Sequence, residues 1–198
     1  MHQRRKSIKN QPVPNTNQSD EYILSLLRQS KDTERGFQLL VEKYQERLYW
    51  HIRRLVIGHE DANDVLQNSF IKVFRGIDRF RGQSKLYTWL FRIATNEAIT
   101  HLNRNRRKAT SSLDDEINLI NQLKADVYFD GNEIQIQLQR ALLHLPEKQR
   151  VVFNLRYYEE MPYKDMAKVL DTSVGALKAS YHHAVKKIES YFKNIEVR

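Results

Sequence analysis

Trp89, Arg92, Asn96, Thr100 and Asn103 set an aromatic ring, a guanidinium, two amides and a hydroxyl three or four residues apart. At 3.6 residues per turn they share one side of a helix. A ring accepts any nucleic-acid base by stacking, for roughly 1–3 kcal/mol per base; an asparagine can bond the edge of a splayed-out base, and arginines bind phosphate. Arg79, Arg81 and Lys85 precede this face, and Arg104, Arg106, Arg107 and Lys108 follow it. The chemistry on offer is recognition of an unstacked strand. A solvated helix face with Trp89 packed on a neighbour would use the same residue types, so these residues alone support both readings.

Bond-breaking chemistry finds no support. Walker, Rossmann, HExxH and GxSxG patterns are missing, and the carboxylates fall on helix surfaces or in one acidic stretch. With no cysteine, disulfides, thiolate catalysis and Cys-ligated zinc are excluded together. His182 and His183 are adjacent, hence about 100° apart on a helix, and no third ligand stands at metal spacing. No catalytic residue, metal, cofactor or small-molecule substrate is expected. A net charge of +9 and a pI near 9.7 favour a polyanionic partner. No apolar run is long enough to span a bilayer and the charged N-terminus lacks an apolar signal core, so a cytoplasmic protein without direct membrane insertion is expected.

The elements that must carry these residues read as all-α. Ser84 can cap a helix running to about Arg104, with Tyr87, Leu90, Phe91, Ala94, Ala98 and Leu102 as its core side. Before it, Ser19 or Asp20 opens a short helix with Ile23, Leu24 and Leu27. Thr33 starts a long one striped by Phe37, Leu40, Val41, Tyr44, Leu48, Ile52, Leu55 and Val56 and closed by Gly58 and His59. A third runs from Glu60 to about Ile77, with Ala62, Leu66, Ser69, Phe70, Val73 and Ile77 inward and Asp61, Asp64, Gln67, Asn68 and Lys72 outward. Residues 1–19 form a basic tail expected to be disordered. From Ala109 to Glu133 Lys124 is the one base among six acids, which marks a linker, although its scattered apolar residues make it more than a spacer.

A second unit follows from about Ile134, giving two small helical domains, 20–108 and 134–198. Leu138, Ala141, Leu142 and Leu145 stripe its first helix. Pro146 and Pro162 sit where first-turn prolines belong. Asp171, Thr172 and Ser173 then separate a helix ending at Leu170 from a long one starting near Val174, which is helix-turn-helix spacing. Ala167 permits close approach, Leu177 supplies the matching contact, and Asp171 tolerates a left-handed turn. The candidate duplex-reading residues are Ser173, Gly175, Ala176, Lys178, Ser180, Tyr181, His182 and Lys186.

Several phrases carry a resemblance. Phe80-Arg81-Gly82, Thr88-Trp89-Leu90 and Ile93-Ala94-Thr95-Asn96-Glu97-Ala98 resemble the promoter-melting segment of bacterial RNA polymerase sigma factors, in the extracytoplasmic-function (ECF) group of the sigma-70 family. Phe37-Gln38-Leu39-Leu40 resembles the group's first conserved helix. The string from Asp61 to Phe70 is similar to the segment that docks on the polymerase's largest subunit. Leu145-Pro146, Arg150-Val151-Val152-Phe153 and Gly175-Ala176-Leu177-Lys178 resemble the minus-thirty-five domain, although Ser180 and His183 stand where relatives often have arginine.

The resemblance implies an initiation subunit whose partners are core RNA polymerase, promoter DNA and an anti-sigma factor. Core binding would then fall to Asp61, Asp64, Gln67, Asn68 and Lys72. Minus-ten DNA would meet Arg79, Arg81, Lys85, Trp89, Arg92, Asn96, Thr100, Asn103, Arg106 and Arg107. A stand-alone helix-turn-helix regulator and a helical adaptor are the other function classes; the first predicts dimers that bind DNA tightly alone, the second no dependence on DNA.

Overall fold

A computed structural model describes residues 18–29, 31–108 and 133–196. Among these residues there are eight α-helices and no strand. The basic tail up to residue 17 and the acidic stretch from 109 to 132 lie outside them.

The first four helices are α1 (Asp20–Leu27), α2 (Thr33–Val56), α3 (His59–Gly76) and α4 (Leu86–Lys108), with a short 3-10 turn, Ile77–Arg79, after α3. Ser19 caps α1, its Oγ accepting from Tyr22 N at 3.2 Å. A Cβ on Gly36 would lie 2.9 Å from Leu27 N, so only glycine lets α2 approach α1 this closely. The long helix ends one residue earlier than the Gly58 expected from sequence: Ile57 takes φ 69° and α3 already begins at His59. Leu40, Leu48, Ile52 and Leu55 are buried against Ala62, Val65 and Val73 of α3 and Leu90, Phe91, Ala94 and Ala98 of α4. That periodicity is as the sequence predicts, with Val65 added and Leu66 and Phe70 only partly buried.

The remaining helices are α5 (Glu133–Leu143), α6 (Glu147–Tyr157), α7 (Tyr163–Leu170) and α8 (Val174–Glu196). Pro146 and Pro162 occupy the N-caps of α6 and α7, one position before the first turn. Asp171 adopts the left-handed conformation, φ 48° and ψ 51°, between α7 and α8, as the helix-turn-helix spacing requires. Ala141, Leu142, Leu145, Phe153, Ala184 and Ile188 make a small core of their own. A larger apolar cluster is continuous from the first four helices into this group, through Val151, Leu155, Met161, Met166 and Leu177. The two helical groups are thus in contact, α6 on α2 and α7 on α4.

Candidate nucleic-acid interface

Burial divides α4 as the helical period predicts. Leu86, Leu90, Phe91, Ala94 and Ala98 are buried, Tyr87 and Leu102 partly so, while Arg92, Asn96 and Thr100 are exposed on the other side. Thr88 and Thr95 are buried polar residues that apolar periodicity did not flag. Thr100 Oγ1 donates to the backbone Asn96 O at 2.7 Å, and Asn96 itself is exposed. Asn103 is half-buried and its Oδ1 accepts from Arg106 Nη2 at 2.7 Å. The Arg107 side chain lies outside the described residues.

Trp89 is half-buried and serves as a packing residue. Its ring lies 5.1 Å from that of Phe80, tilted by 42°, and its far edge would touch a Cβ at Gly76. The half-buried indole therefore props the loop that follows α3. That loop turns at Gly82, whose φ of 71° suits glycine, and presents Arg79, Arg81 and Lys85 to solvent. The loop and the exposed side of α4 line an open cleft of about 590 Å³ whose opposite wall is Ala167, Lys168 and Asp171 of the α7 end.

On α3, Asp64, Gln67, Asn68 and Lys72 are exposed. Asp61 is half-buried, with Oδ1 3.1 Å from His101 Nε2, and Lys72 pairs with Glu97. Ile71 and Phe74 stand exposed beside them, Phe74 set edge-on to Phe37 at 5.1 Å. Sequence reasoning missed this apolar contribution, although Gln67, Ile71 and Phe74 follow the four- and three-residue spacing of one face.

In the helix-turn-helix, Ser173 caps α8, its Oγ accepting from Ala176 N at 3.2 Å. Gly175, Ala176, Lys178, His182 and Lys186 are exposed, and Ser180 is half-buried. Tyr181 is also a packing residue, its ring stacked on Phe153 at 5.8 Å and 17°. Lys178 Nζ stands 5.9 Å from the centre of the Tyr163 ring. Leu177 is buried and Ala167 lies at the crossing, as a close helix pair needs.

Two further buried polar groups were not read from the sequence. His51 is fully buried between α2 and α4, with Nε2 2.9 Å from Thr95 Oγ1. Burial, with Arg54 and Arg47 nearby, lowers its pKa from 6.5 to about 3. Glu159, in the turn between α6 and α7, is buried against Arg47 and Arg54 of α2.

Two family models match the chain in succession, Sigma-70 region 2 over residues 40–108 and Sigma-70, region 4 over residues 135–188. The RNA polymerase sigma-H factor of Pseudomonas aeruginosa is 33% identical over 191 residues, spanning 88% of this chain and 94% of that protein. The ECF RNA polymerase sigma-E factor of Haemophilus influenzae is 33% identical over 181 residues, 87% of this chain and 94% of that one. The sigma factor RpoE of Bartonella quintana, solved with the anti-sigma factor NepR, shares the fold with a TM-score of 0.61 at 20% identity, covering 82% of this chain and 98% of that one. Helices that set an amide-and-arginine face before a helix-turn-helix therefore coincide with both matched regions, and the chain belongs to the sigma-70 family of bacterial RNA polymerase sigma factors, in its ECF group.

Proposed function

We propose that this sigma factor divides its work between residues 20–108 and 134–198, joined by the acidic stretch 109–133. As a sigma factor it binds core RNA polymerase and directs promoter-specific initiation; it contributes recognition, with no catalysis of its own. The outer side of α3 docks on core through Asp61, Asp64, Gln67, Asn68 and Lys72, with Ile71 and Phe74 adding apolar contact. Arg92, Asn96 and Thr100 of α4, with Trp89 and the loop from Arg79 to Lys85, hold the displaced minus-ten strand. Asn103, Arg106 and Arg107 continue the path along the phosphates. The exposed N-terminal turns of α8, from Ser173 to Lys186, enter the minus-thirty-five major groove. By analogy with the relative solved beside NepR, an anti-sigma factor restrains the protein.

The observation that carries the minus-ten assignment is the exposure of Asn96 and Arg92 on a helix whose other side, apart from the buried hydroxyls of Thr88 and Thr95, is apolar. An amide left outward and unburied costs nothing to the fold and is free to read a base. In holoenzyme, Asn96→Ala should still form the closed promoter complex, because duplex docking precedes strand capture. Opening should fall about 5- to 160-fold, the equivalent of roughly 1–3 kcal/mol for one lost base contact. Permanganate footprinting measures it, and normal opening by Asn96→Ala removes the base-reading role. Asp64→Lys tests the docking side in the same preparation: core binding should drop while circular dichroism stays unchanged, since exposed substitutions shift stability by less than about 0.5 kcal/mol.

A further inference from the structure

We propose that the arrangement seen here is a latched form of the free protein that cannot read a promoter, closed by Glu159 between Arg47 and Arg54. The inference rests on assigning α4 and α8 to promoter DNA.

The turn after α6 is shaped to deliver one carboxylate. Glu160 takes a left-handed backbone, φ 51°, and Met161 N reaches back to Leu155 O at 3.0 Å. With Glu159 N returning to Asn154 O at 3.3 Å, this longer-range bond closes the C-terminus of α6 and Met161 is buried, so the neighbouring Glu159 is held against α2. Arg47 Nε donates to Glu159 Oε2 at 2.9 Å, and Arg54 Nη1 to Oε1 at 3.3 Å. Arg47 and Arg54 are seven residues apart, hence two turns along one side of α2. Rings fix both guanidiniums: Arg47 lies 4.5 Å from the centre of Tyr87, and Arg54 4.2 Å from that of Tyr158. The Glu159 side chain keeps 4% of its exposure. A second bridge crosses the cleft where Lys168 Nζ donates to Gln83 O at 3.4 Å.

Such a triad suits a latch better than a permanent weld. When all three groups part together each regains its hydration, so the intact cluster adds little net stability, whereas removing one partner strands a buried charge. The cluster therefore fixes the register of closure and still permits opening.

Closure conflicts with promoter reading on two counts. The cleft facing Arg79, Arg81, Trp89 and Arg92 is walled on its far side by Lys168 and Asp171, so the end of α7 stands over part of the surface assigned to the strand. Promoter elements centred about 25 base pairs apart lie roughly 85 Å apart at 3.4 Å per pair. With α7 resting on α4, the two reading elements cannot span that distance.

The test uses the free full-length chain. It contains no cysteine, so Gln45→Cys on α2 and Ser190→Cys on α8, both exposed, provide the only sites for a pair of spin labels. Pulsed electron spin resonance should give one narrow distance. Glu159→Lys should lengthen and broaden it with helicity unchanged, and full inversion, adding Arg47→Glu and Arg54→Glu, should restore the narrow peak. If Glu159→Lys loses helicity, Glu159→Gln carries the same test through a broadened distribution. Binding of labelled single-stranded DNA should strengthen in the opened variant, by up to about tenfold if nine-tenths of the wild type is closed.

A broad, long distance in the wild type overturns the closed state. A narrow distance that persists in the Glu159 variants overturns the latch. Opening without stronger DNA binding overturns the masking; if Arg92→Ala holoenzyme then opens promoters normally, the minus-ten assignment has failed, and if it does not, that assignment stands and masking alone falls.

Discussion

His51 shows how a single residue ties stability to pH. Its imidazole is fully buried, with Thr95 on Nε2 and no hydrogen bond on Nδ1, and burial followed by Arg54 and Arg47 lowers its pKa from 6.5 to about 3. Between those values the unfolded chain binds a proton that the folded chain refuses. The contribution is therefore fully present above pH 6.5 and is lost as pH falls, by at most about 1.4 kcal/mol per unit. From pH 7 to pH 5 the loss from this one site should reach about 2 kcal/mol. Urea midpoints for wild type and His51→Gln should converge as pH drops, and parallel curves would refute the assignment. The residue was within reach of sequence reasoning. Leu48, His51, Ile52 and Leu55 continue one three- and four-residue stripe, but a histidine among apolar positions is easily set aside as a surface interruption.

At the scale of the element, most of what positions the reading residues was legible. Local rules act over one or two turns, and Ser19, Thr33 and the alternation of buried and exposed positions on α4 obey them. Departures are local too: Ile57, in place of Gly58, takes the positive φ, and both prolines serve as N-caps. Asp171 lies between these cases. Its left-handed backbone lets its own N–H and that of Thr172 return to Ala167 O, the latter at 3.3 Å, which ends α7 and aims α8. A non-glycine residue there costs about 1 kcal/mol. Asp171→Gly should relieve most of this and raise the urea midpoint, corresponding to up to about 1 kcal/mol. Asp171→Val should lower it, because a β-branched side chain tolerates positive φ least. An unchanged midpoint in both variants would show that the turn stores no strain.

The arrangement of the whole molecule could not be read from periodicity. Glu159 and Arg47 stand 112 positions apart, and in sequence Glu159-Glu160 is an ordinary acidic turn. Only the fold shows that it fills a gap between two arginines. The same fold explains why the free protein should be a poor DNA binder despite its charge of +9. Each reading element offers few base contacts, α8 lacks the arginines that most often bind guanine bidentately, and α7 covers part of the α4 side. What remains is non-specific attraction, micromolar or weaker at physiological salt and falling steeply as salt rises. On the proposed reading, core polymerase holds the halves apart at promoter spacing. The roughly two dozen residues from 109 to 132 reach at most about 86 Å when fully extended, so separation to the required distance lies near the limit of the connection. Two weak contacts fixed at matching separation gain about 10²–10⁴ in affinity without a new interaction. Fluorescence anisotropy with promoter and scrambled duplexes should therefore show little discrimination by the free protein and strong discrimination by holoenzyme. Lys178→Ala should weaken the second and leave the first nearly unchanged. Nanomolar, sequence-specific binding by the free chain would mean that the closed form does not restrain it.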